Sequence, residues 1–490
     1  WDAELPSRSL RFRARPSSCE PTGREVTSRR FSGDGAMTLP RRGFLMSAGL
    51  GLAAAAAAGV VRARNLASKL QVACVGVDGM GFSDLSQVGS HPSVEFVGFC
   101  DVDANRFARA DEKFPGVPHF RDYREMLEQL GDAVDAVLVD TPDHMHAPVA
   151  VAALARGKHV YCQKPLAHTV WECRQMRLWA EKMGVTTQMG NQIHSHPAYR
   201  LGTRLIREGA IGKVLEVHSW IGVKGNERTR LFAPPPSAEA PANVDWNLWI
   251  GAAPMRPYAP AYHPFTWRDW QDFGGGALGD FGCHVLDPVF TATGVSTPLS
   301  VQATNSGINE QVWPTFETVR YEFAGTEFTA GDTLPLTWSD GGLKPPHSLA
   351  QMPGNVDLPG GGSLFIGEEG TMVLPHVGMP TLYPVEKFAG FSMPEVEARN
   401  HWHDWVDAAI AGEQTTDGFS YAGPLAEAVQ LGNVATRLAV ATLNPVNGQL
   451  TDPKKVLAWD AEACQFTNAP EANALLSKAY RDGFDVPACG

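Results

Sequence analysis

Between residues 70 and 182 short apolar runs alternate with helix-patterned segments, and this alternation constrains the fold more than any other feature of the chain. Leu70–Val77 reads as a buried strand ending in a glycine turn, and Phe82–Gly89 as the helix that follows. Val94–Cys100 reads as a second strand ending at Asp101, with a helical pattern over Asn105–Lys113. Tyr123–Leu130 carries its apolar residues on one helical face, and Ala136–Asp140 is again an apolar strand. Ala147–Arg156 is an Ala-rich helix closed by Gly157, His159–Cys162 a strand and Val170–Lys182 a helix. Apolar strands separated by single helices form a parallel sheet, because a parallel connection needs a crossover long enough to hold a helix. The expectation is an α/β chain whose N-terminal domain, over 66–190, is a doubly wound parallel sheet of Rossmann type.

After about residue 190 the rhythm changes. Val214–Val223, Leu299–Thr304, Thr318–Phe323 and Leu364–Leu374 are strand-like and partly alternating, while Asn400–Ala411 and Pro424–Ala441 are helical in pattern. Stretches 233–244 and 341–362 are rich in Pro and Gly, as surface loops are. This predicts a C-terminal α+β domain over 191–450, serving substrate binding and oligomerisation, on a large mainly antiparallel sheet. Residues 451–490 are expected to be a C-terminal extension, and no internal repeat is visible.

The first 64 residues read as something other than fold. Residues 1–36 are rich in Arg, Ser and Pro without hydrophobic period, so a disordered leader, or sequence upstream of a start at Met37, is expected. Pro40-Arg41-Arg42-Gly43-Phe44-Leu45-Met46, followed by an Ala/Gly/Leu run to Val61 and small residues near Ala63, reads as a twin-arginine export signal over 37–64. The run Phe44–Val61 has 18 residues, at the edge of spanning length, so a retained N-terminal anchor is the alternative. Its alanines make it a weak span, and the expected location is periplasmic or exported, with no stable membrane association once the signal is removed.

Charge sharpens the division. Residues 1–64 carry 11 arginines and 5 acidic residues, a net +6, which leaves −18 on the remainder of a chain whose total is −12. So acidic a body argues against binding nucleic acid or anionic lipid. Eight cysteines in 490 residues, with no C-x-x-C, are too few for a disulfide scaffold, and Cys74 and Cys100 read as buried thiols. Serine-hydrolase, zincin and P-loop signatures are absent.

Gly76-Val77-Asp78-Gly79-Met80-Gly81 follows the first strand and opens a helix. In a G-x-G-x-x-G turn the glycines serve a tight bend, close backbone approach to pyrophosphate and close helix–strand packing. Gly76 and Gly81 fill the outer roles, Asp78 stands in the middle one, and Gly79 can take over the close approach. Asp101 ends the second strand, 25 residues after Gly76, where a carboxylate binds ribose hydroxyls and repels a 2′-phosphate. The motif alone leaves two readings, an NAD site with Met80 at its rim or a βαβ unit with an unused glycine turn.

Three further segments carry a resemblance: Thr141-Pro142-Asp143-His144-Met145-His146, Gln163-Lys164-Pro165-Leu166 and Gly279-Asp280-Phe281-Gly282-Cys283-His284-Val285-Leu286-Asp287. Together they resemble the glucose–fructose oxidoreductase / inositol dehydrogenase family, also called Gfo/Idh/MocA, over roughly residues 70–440, including Tyr421-Ala422-Gly423-Pro424-Leu425. The resemblance implies a Rossmann domain, a C-terminal sheet domain and an active site between them, with Lys164, Asp280 and His284 facing the nicotinamide. It extends the cofactor set to Thr141, Pro142, His146 and Lys164. Two departures stand out: Gln163 replaces the usual Glu, and Asp78 replaces a glycine.

The chemistry is consistent with that assignment. Oxidising a carbinol requires the hydroxyl proton to leave with the hydride. Asp280 and His284 share a helical face at i, i+4, so Asp280 can orient the imidazole and leave the other nitrogen for substrate. A Lys164 ammonium at a strand end can stabilise the developing alkoxide. Taken singly, the three also read as a capping Asp, a core His and a surface Lys. Gln192 and His194, at the start of the second domain, and Trp267 and Arg268, in Trp267-Arg268-Asp269-Trp270, are expected to bind sugar. A structural loop and a packed core are the alternatives. Three His-x-His pairs (144/146, 194/196 and 401/403) have no third ligand at metal spacing, so no metal is expected.

The function expected is an exported NAD-dependent oxidoreductase, homo-oligomeric, acting on a hydroxyl of a sugar or sugar derivative. Away from a nicotinamide pool, its cofactor should be tightly held. A glycoside-cleaving enzyme that works by transient oxidation and elimination is one alternative, and a non-catalytic sugar-binding protein another.

Overall fold

The structure is a computed structural model that describes residues 69–439 and 455–490. The leader over 1–36 and the signal over 37–64 lie outside the described residues. Among the described residues, no helix is long and apolar enough to cross a membrane.

The N-terminal domain runs β1 (Leu70–Val75), α1 (Met80–Val88), β2 (Val94–Cys100), α2 (Phe107–Lys113), β3 (His119–Phe120), α3 (Tyr123–Leu130), β4 (Ala136–Val139), α4 (His146–Leu154), β5 (His159–Gln163), α5 (Val170–Met183) and β6 (Thr187–Gly190). Its six strands are all parallel in the order β3-β2-β1-β4-β5-β6, which places a crevice where the order reverses between β1 and β4. β4 is buried along its whole length, as a strand covered on both faces must be. Local signals set the helix ends. Thr169 caps α5 by accepting from the Glu172 amide, and Gly184 closes it in the left-handed conformation.

The C-terminal domain follows with α6 (Pro197–Arg207), β7 (Val214–Ile221), α7 (Trp246–Ile250), α8 (Gly276–Thr293), β8 (Pro298–Asn305), β9 (Glu317–Ala324), β10 (Thr333–Ser339), β11 (Gly361–Gly367), β12 (Thr371–Pro375), β13 (Thr381–Tyr383), α9 (His401–Ala411), α10 (Phe419–Leu438), β14 (Leu457–Asp460), β15 (Gln465–Phe466) and α11 (Pro470–Asn473). Nine strands form one sheet, β13-β12-β11-β7-β10-β9-β8-β14-β15, antiparallel except where β10 runs parallel to β7. One face packs on α8 and α10, where Leu278, Val285 and Val429 share a buried cluster with Val217, Val319 and Leu336. The other face is partly solvated, as in β9, where Thr318, Arg320 and Glu322 alternate with buried positions.

Three differences from the sequence expectation matter. The run Leu364–Leu374 is a hairpin of β11 and β12, turned where Gly367 N–H bonds the Gly370 carbonyl at 2.8 Å. Strand β10 was hidden by Pro335, which sits inside it with its side chain on the solvated face. The C-terminal stretch belongs to both domains. Leu457 pairs with Val301 of β8, and the chain then returns across α5, where the Trp171 amide bonds the Leu476 carbonyl at 2.9 Å. Helix α9 likewise closes the outer layer of the N-terminal domain, with Trp405 fully buried in the cluster of Leu70, Val72 and Leu85. Trp405→Ala would cost roughly 3–5 kcal/mol at such a site.

Candidate active site

One cavity of about 480 Å³ lies at the crevice between β1 and β4 and is closed by residues of the C-terminal domain. Gly76, Asp78, Gly79, Met80, Asp101, Thr141, Pro142, His146, Lys164, Gln192, Trp267, Arg268, Asp280 and His284 all line it. Of the residues the sequence assigns to catalysis, cofactor or substrate, only Gly81 and His194 do not. Gly81 lies beneath the floor, where a Cβ would collide with the Gly76 carbonyl, so its role is helix–strand packing.

The glycine turn fits a dinucleotide. Gly79 has φ of +59° and nothing within 4 Å of where a Cβ would stand, so the backbone is open to close approach at the start of α1. No side chain caps that helix, which leaves its N-terminus to an anion. Asp78 does not face this position unpaired. Its carboxylate pairs with Arg106 at 2.8 Å and Arg109 at 3.4 Å. Burial raises its pKa, but the Arg106 hydrogen bond and charge outweigh that and hold it below the ordinary value. Asp101 accepts the Val77 amide at 3.1 Å and the Asp103 amide at 3.0 Å, one on each oxygen. Each oxygen keeps a lone pair, and burial pushes the carboxyl up to about 6. Phe484, brought by the C-terminal chain, also lines this cavity, with Arg124 stacked on it at 4.3 Å.

At the other end of the cavity Lys164, just past β5, donates to Asp280 Oδ1 and to the Asp280 carbonyl, both at 2.7 Å. Arg228 binds Asp280 Oδ2, and Arg268 stands 3.8 Å from Oδ1. Burial works against the Asp280 charge, but Lys164, Arg268 and Arg228 together hold its pKa far below the ordinary range. Asp280 is therefore a fixed carboxylate that anchors Lys164, and it has no proton-accepting role near neutrality. Arg228 is held in turn by Asp269, which also accepts the Arg228 and Thr229 amides at 2.8 and 2.7 Å. Burial pushes the Asp143 carboxyl, in the cavity wall, up to about 7 against Arg268 and Lys164.

The partner of His284 differs from the one expected. Asp280 does not bond it; Asn191 does, through Oδ1 to Nδ1 at 2.5 Å. The Asn191 amide nitrogen donates to the Cys283 carbonyl at 3.2 Å, which fixes which end of the amide faces the ring. An acceptor at Nδ1 places the proton there and leaves Nε2 with its lone pair. Burial, with Lys164 and His376 adding, holds the ring well below the ordinary imidazole pKa, so it is neutral. His376 stands beside it at 5.8 Å between ring centroids, held by the Tyr199 hydroxyl at 2.8 Å.

The comparisons with known proteins agree with this layout. Residues 70–191 match the oxidoreductase family, NAD-binding Rossmann fold, and residues 218–329 its C-terminal alpha/beta domain, the two parts of Gfo/Idh/MocA. Both matched segments are parts of the Gfo/Idh/MocA oxidoreductase family, which this chain resembles over those residues. Levoglucosan dehydrogenase of Pseudarthrobacter phenanthrenivorans is 29% identical over 181 residues, 37% of this chain and 38% of its own length. Glycosyl hydrolase family 109 protein 1 of a Shewanella species is 31% identical over 155 residues, 30% of this chain and 33% of its own length. The chain thus matches little more than a third of these relatives. A WlbA dehydrogenase from Bordetella pertussis, solved with NADH and UDP-GlcNAcA, shares the fold at TM-score 0.53 and 16% identity, over 75% of this chain and 97% of that one.

The departures from the Gfo/Idh/MocA pattern have local explanations. Gln163 stands where the family has Glu and donates to buried Asp84 at 2.5 Å, so a carboxylate is present but comes from α1. Asp78 is neutralised by its arginines, as described. His146 spans two carbonyls, Thr141 at 2.8 Å and Pro165 at 2.7 Å, and clamps the β4 and β5 loops at the cavity wall. Trp267 is buried among Trp249, Tyr262 and Phe273, while Arg268 stacks on it at 4.2 Å and faces the cavity. His194 lies in a second cavity, bonded to Asp287 at 2.9 Å and Thr416 at 3.1 Å, because the turn carrying it has already passed the crevice. Sequence reasoning assigned no role to Arg228, His376 or Phe484. Arg228 and Phe484 stand in unpatterned segments, and His376 just beyond a short strand. Asn191 carried a signal in its place beside Gln192, but its partner is remote in sequence.

Proposed function

We propose that the protein is an NAD-dependent oxidoreductase acting on a carbinol of a sugar or sugar derivative. The observation that carries this reading is the pairing, in one cleft with the dinucleotide cradle, of a neutral His284 whose Nε2 is the free base and a Lys164 ammonium pinned by Asp280. Bound NAD supplies the two-electron acceptor for hydride leaving the carbinol carbon. His284 Nε2 accepts the hydroxyl proton, and the Lys164 ammonium stabilises oxygen charge as C–O becomes C=O. Asp280 and Arg228 hold Lys164 in place. Gln192 and Arg268 line the same cavity and can bind the remaining hydroxyls. The likeness to levoglucosan dehydrogenase supports a sugar-like substrate. The likeness to a glycosyl hydrolase family 109 protein favours one second reading, glycoside cleavage by transient oxidation, elimination and re-reduction.

Mass spectrometry of the ligand released on denaturation, followed by a panel of sugars and glycosides in deuterated water, tests both. NAD release with net sugar oxidation supports the first reading. Aglycone release with one ring C–H exchanged for deuterium supports the second, and neither ligand nor turnover overturns both.

Export through the twin-arginine route, with NAD tightly held, is part of this proposal and rests on Arg41-Arg42 and the run after them. Arg41→Lys with Arg42→Lys should leave the protein folded in the cytoplasm, and normal export of that double variant would remove the targeting claim. A homo-oligomer is also proposed, supported by exposed Leu215 and Leu299 on β7 and β8. Sedimentation that yields only the chain mass would reject it.

A further inference from the structure

A second cavity, of about 810 Å³, opens further along α8, toward its C-terminal end, from the cleft. His194, from the turn at Gln192–Ser195, and Asp287, from α8, line it, and Asp417 lies just behind, in the turn before α10. One donor atom from each of the three lies within 4.8 Å of the others. His194 Nδ1 and Asp287 Oδ1 are 2.9 Å apart, close to the roughly 3.0–3.4 Å separating neighbouring ligands around a metal with ~2.1 Å bonds. A separate observation points to a missing ligand. Asp417 is 1% exposed, and neither of its carboxylate oxygens has a hydrogen-bond partner. A buried carboxylate is costly unless a donor or a metal takes its lone pairs. Arg399, a cation in the same wall, is taken by Asp404 at 2.9 Å.

We propose that His194, Asp287 and Asp417 bind one divalent transition cation, zinc by ligand type, at the base of this second cavity. One imidazole nitrogen with two carboxylates suits zinc better than magnesium or calcium, which take oxygen alone. Three protein ligands leave a further position for water or an anion, and the cavity gives it room. The site is separate from the NAD cleft, so it stands whether or not the proposed function does. It ties the 192–195 turn, α8 and the start of α10 together. No ligand spacing marks the site in the sequence, because the three residues come from three distant segments.

The test uses the full chain stripped with EDTA, incubated with zinc chloride, desalted and assayed for zinc by elemental mass spectrometry, beside Asp417→Asn and His194→Asn. The wild type should retain about one zinc per chain and gain thermal stability from it. Both variants should retain at least ~10-fold less and gain nothing. Should the variants fail to fold, cobalt titration of the wild type alone decides, because a low-coordinate protein site gives a visible ligand-field band far stronger than that of hydrated cobalt. Zinc retention no higher in the wild type than in Asp417→Asn, or a cobalt titration without a band, overturns the proposal.

Discussion

Two histidines show how one pair of elements makes two chemistries. The chain at 191–195 runs beside α8 so that Asn191 meets His284 and, three residues further along each, His194 meets Asp287. On α8 the residues Asp280, His284, Asp287 and Thr291 form one stripe that passes from the cleft to the second cavity. In the cleft, burial lowers the His284 pKa, the Lys164 ammonium lowers it further and the bonded partner is a neutral amide, so the ring stays far below the ordinary imidazole value. In the second cavity, burial lowers the pKa of His194, but Asp287 and Asp417 outweigh it and lift it to about 9. Burial is shared; the sign of the neighbouring charge decides. One ring is held as a free base; the other is held as an imidazolium, which must release its proton to bind a metal.

The largest expected effect comes from removing the cleft's working groups. Lys164→Met keeps bulk and removes charge, and His284→Asn keeps a polar group and removes the base. Each should lower kcat by ~10²-fold or more while NAD remains bound, because each acts in the transition state more than in the ground state. The double variant should lose less than the product of the two, since both serve one step. Near-normal rates in folded, NAD-loaded single variants would assign the chemistry elsewhere.

A smaller effect comes from making the cleft pair resemble its neighbour. Asn191→Asp places a carboxylate on His284 Nδ1, as Asp287 lies on His194. A lone base held well below its ordinary value remains deprotonated through neutral pH, so kcat/KM of the wild type should not fall on acidification until below the usual imidazole range. The new carboxylate favours the charged ring and should move that fall upward by about one pH unit, the low end for an added opposite charge. The same acid limb in both proteins would mean that the partner does not set the base.

Most of the fold that positions this site was legible in the sequence, and the reason is periodicity. β2 (Val94–Cys100) appears with the bounds the apolar pattern gives, exposed Glu95 aside, and α5 within one residue, because Thr169 and Gly184 mark its ends. β10 was not legible because Pro335 reads as a breaker when the partner strands are unknown. In the site, Lys164, Asp280 and His284 were legible through family order, but the partner of His284 was not. The i, i+4 spacing favoured Asp280 as its orienting group, and three cations claim that carboxylate instead. Arg228 could not be foreseen, since nothing in the loop after β7 says which residue folds back onto Asp269. The Asp417 site was beyond reach for the same reason: long-range juxtaposition leaves no local trace.

The smallest expected effect concerns the far end of the cleft, where specificity rests on one carboxylate. Asp101→Asn keeps the shape and the Val77 contact but gives up the charge that repels a 2′-phosphate. NAD should weaken by only roughly 2- to 10-fold, the net worth of about one hydrogen bond. Discrimination against NADP should narrow by more than that, because the repulsion goes as well. The wild type offers a check without mutation. Burial places the Asp101 carboxyl at about 6, raised from the ordinary range, so it is charged above that pH and increasingly neutral below it. The preference for NAD over NADP should therefore be widest at pH 7 and above and contract on acidification through pH 6, whereas Asp101→Asn should show a narrow preference at every pH. Cofactor titrations at pH 5.5 and 7.5 on both proteins measure this. A preference that is pH-independent in the wild type would remove Asp101 from cofactor choice.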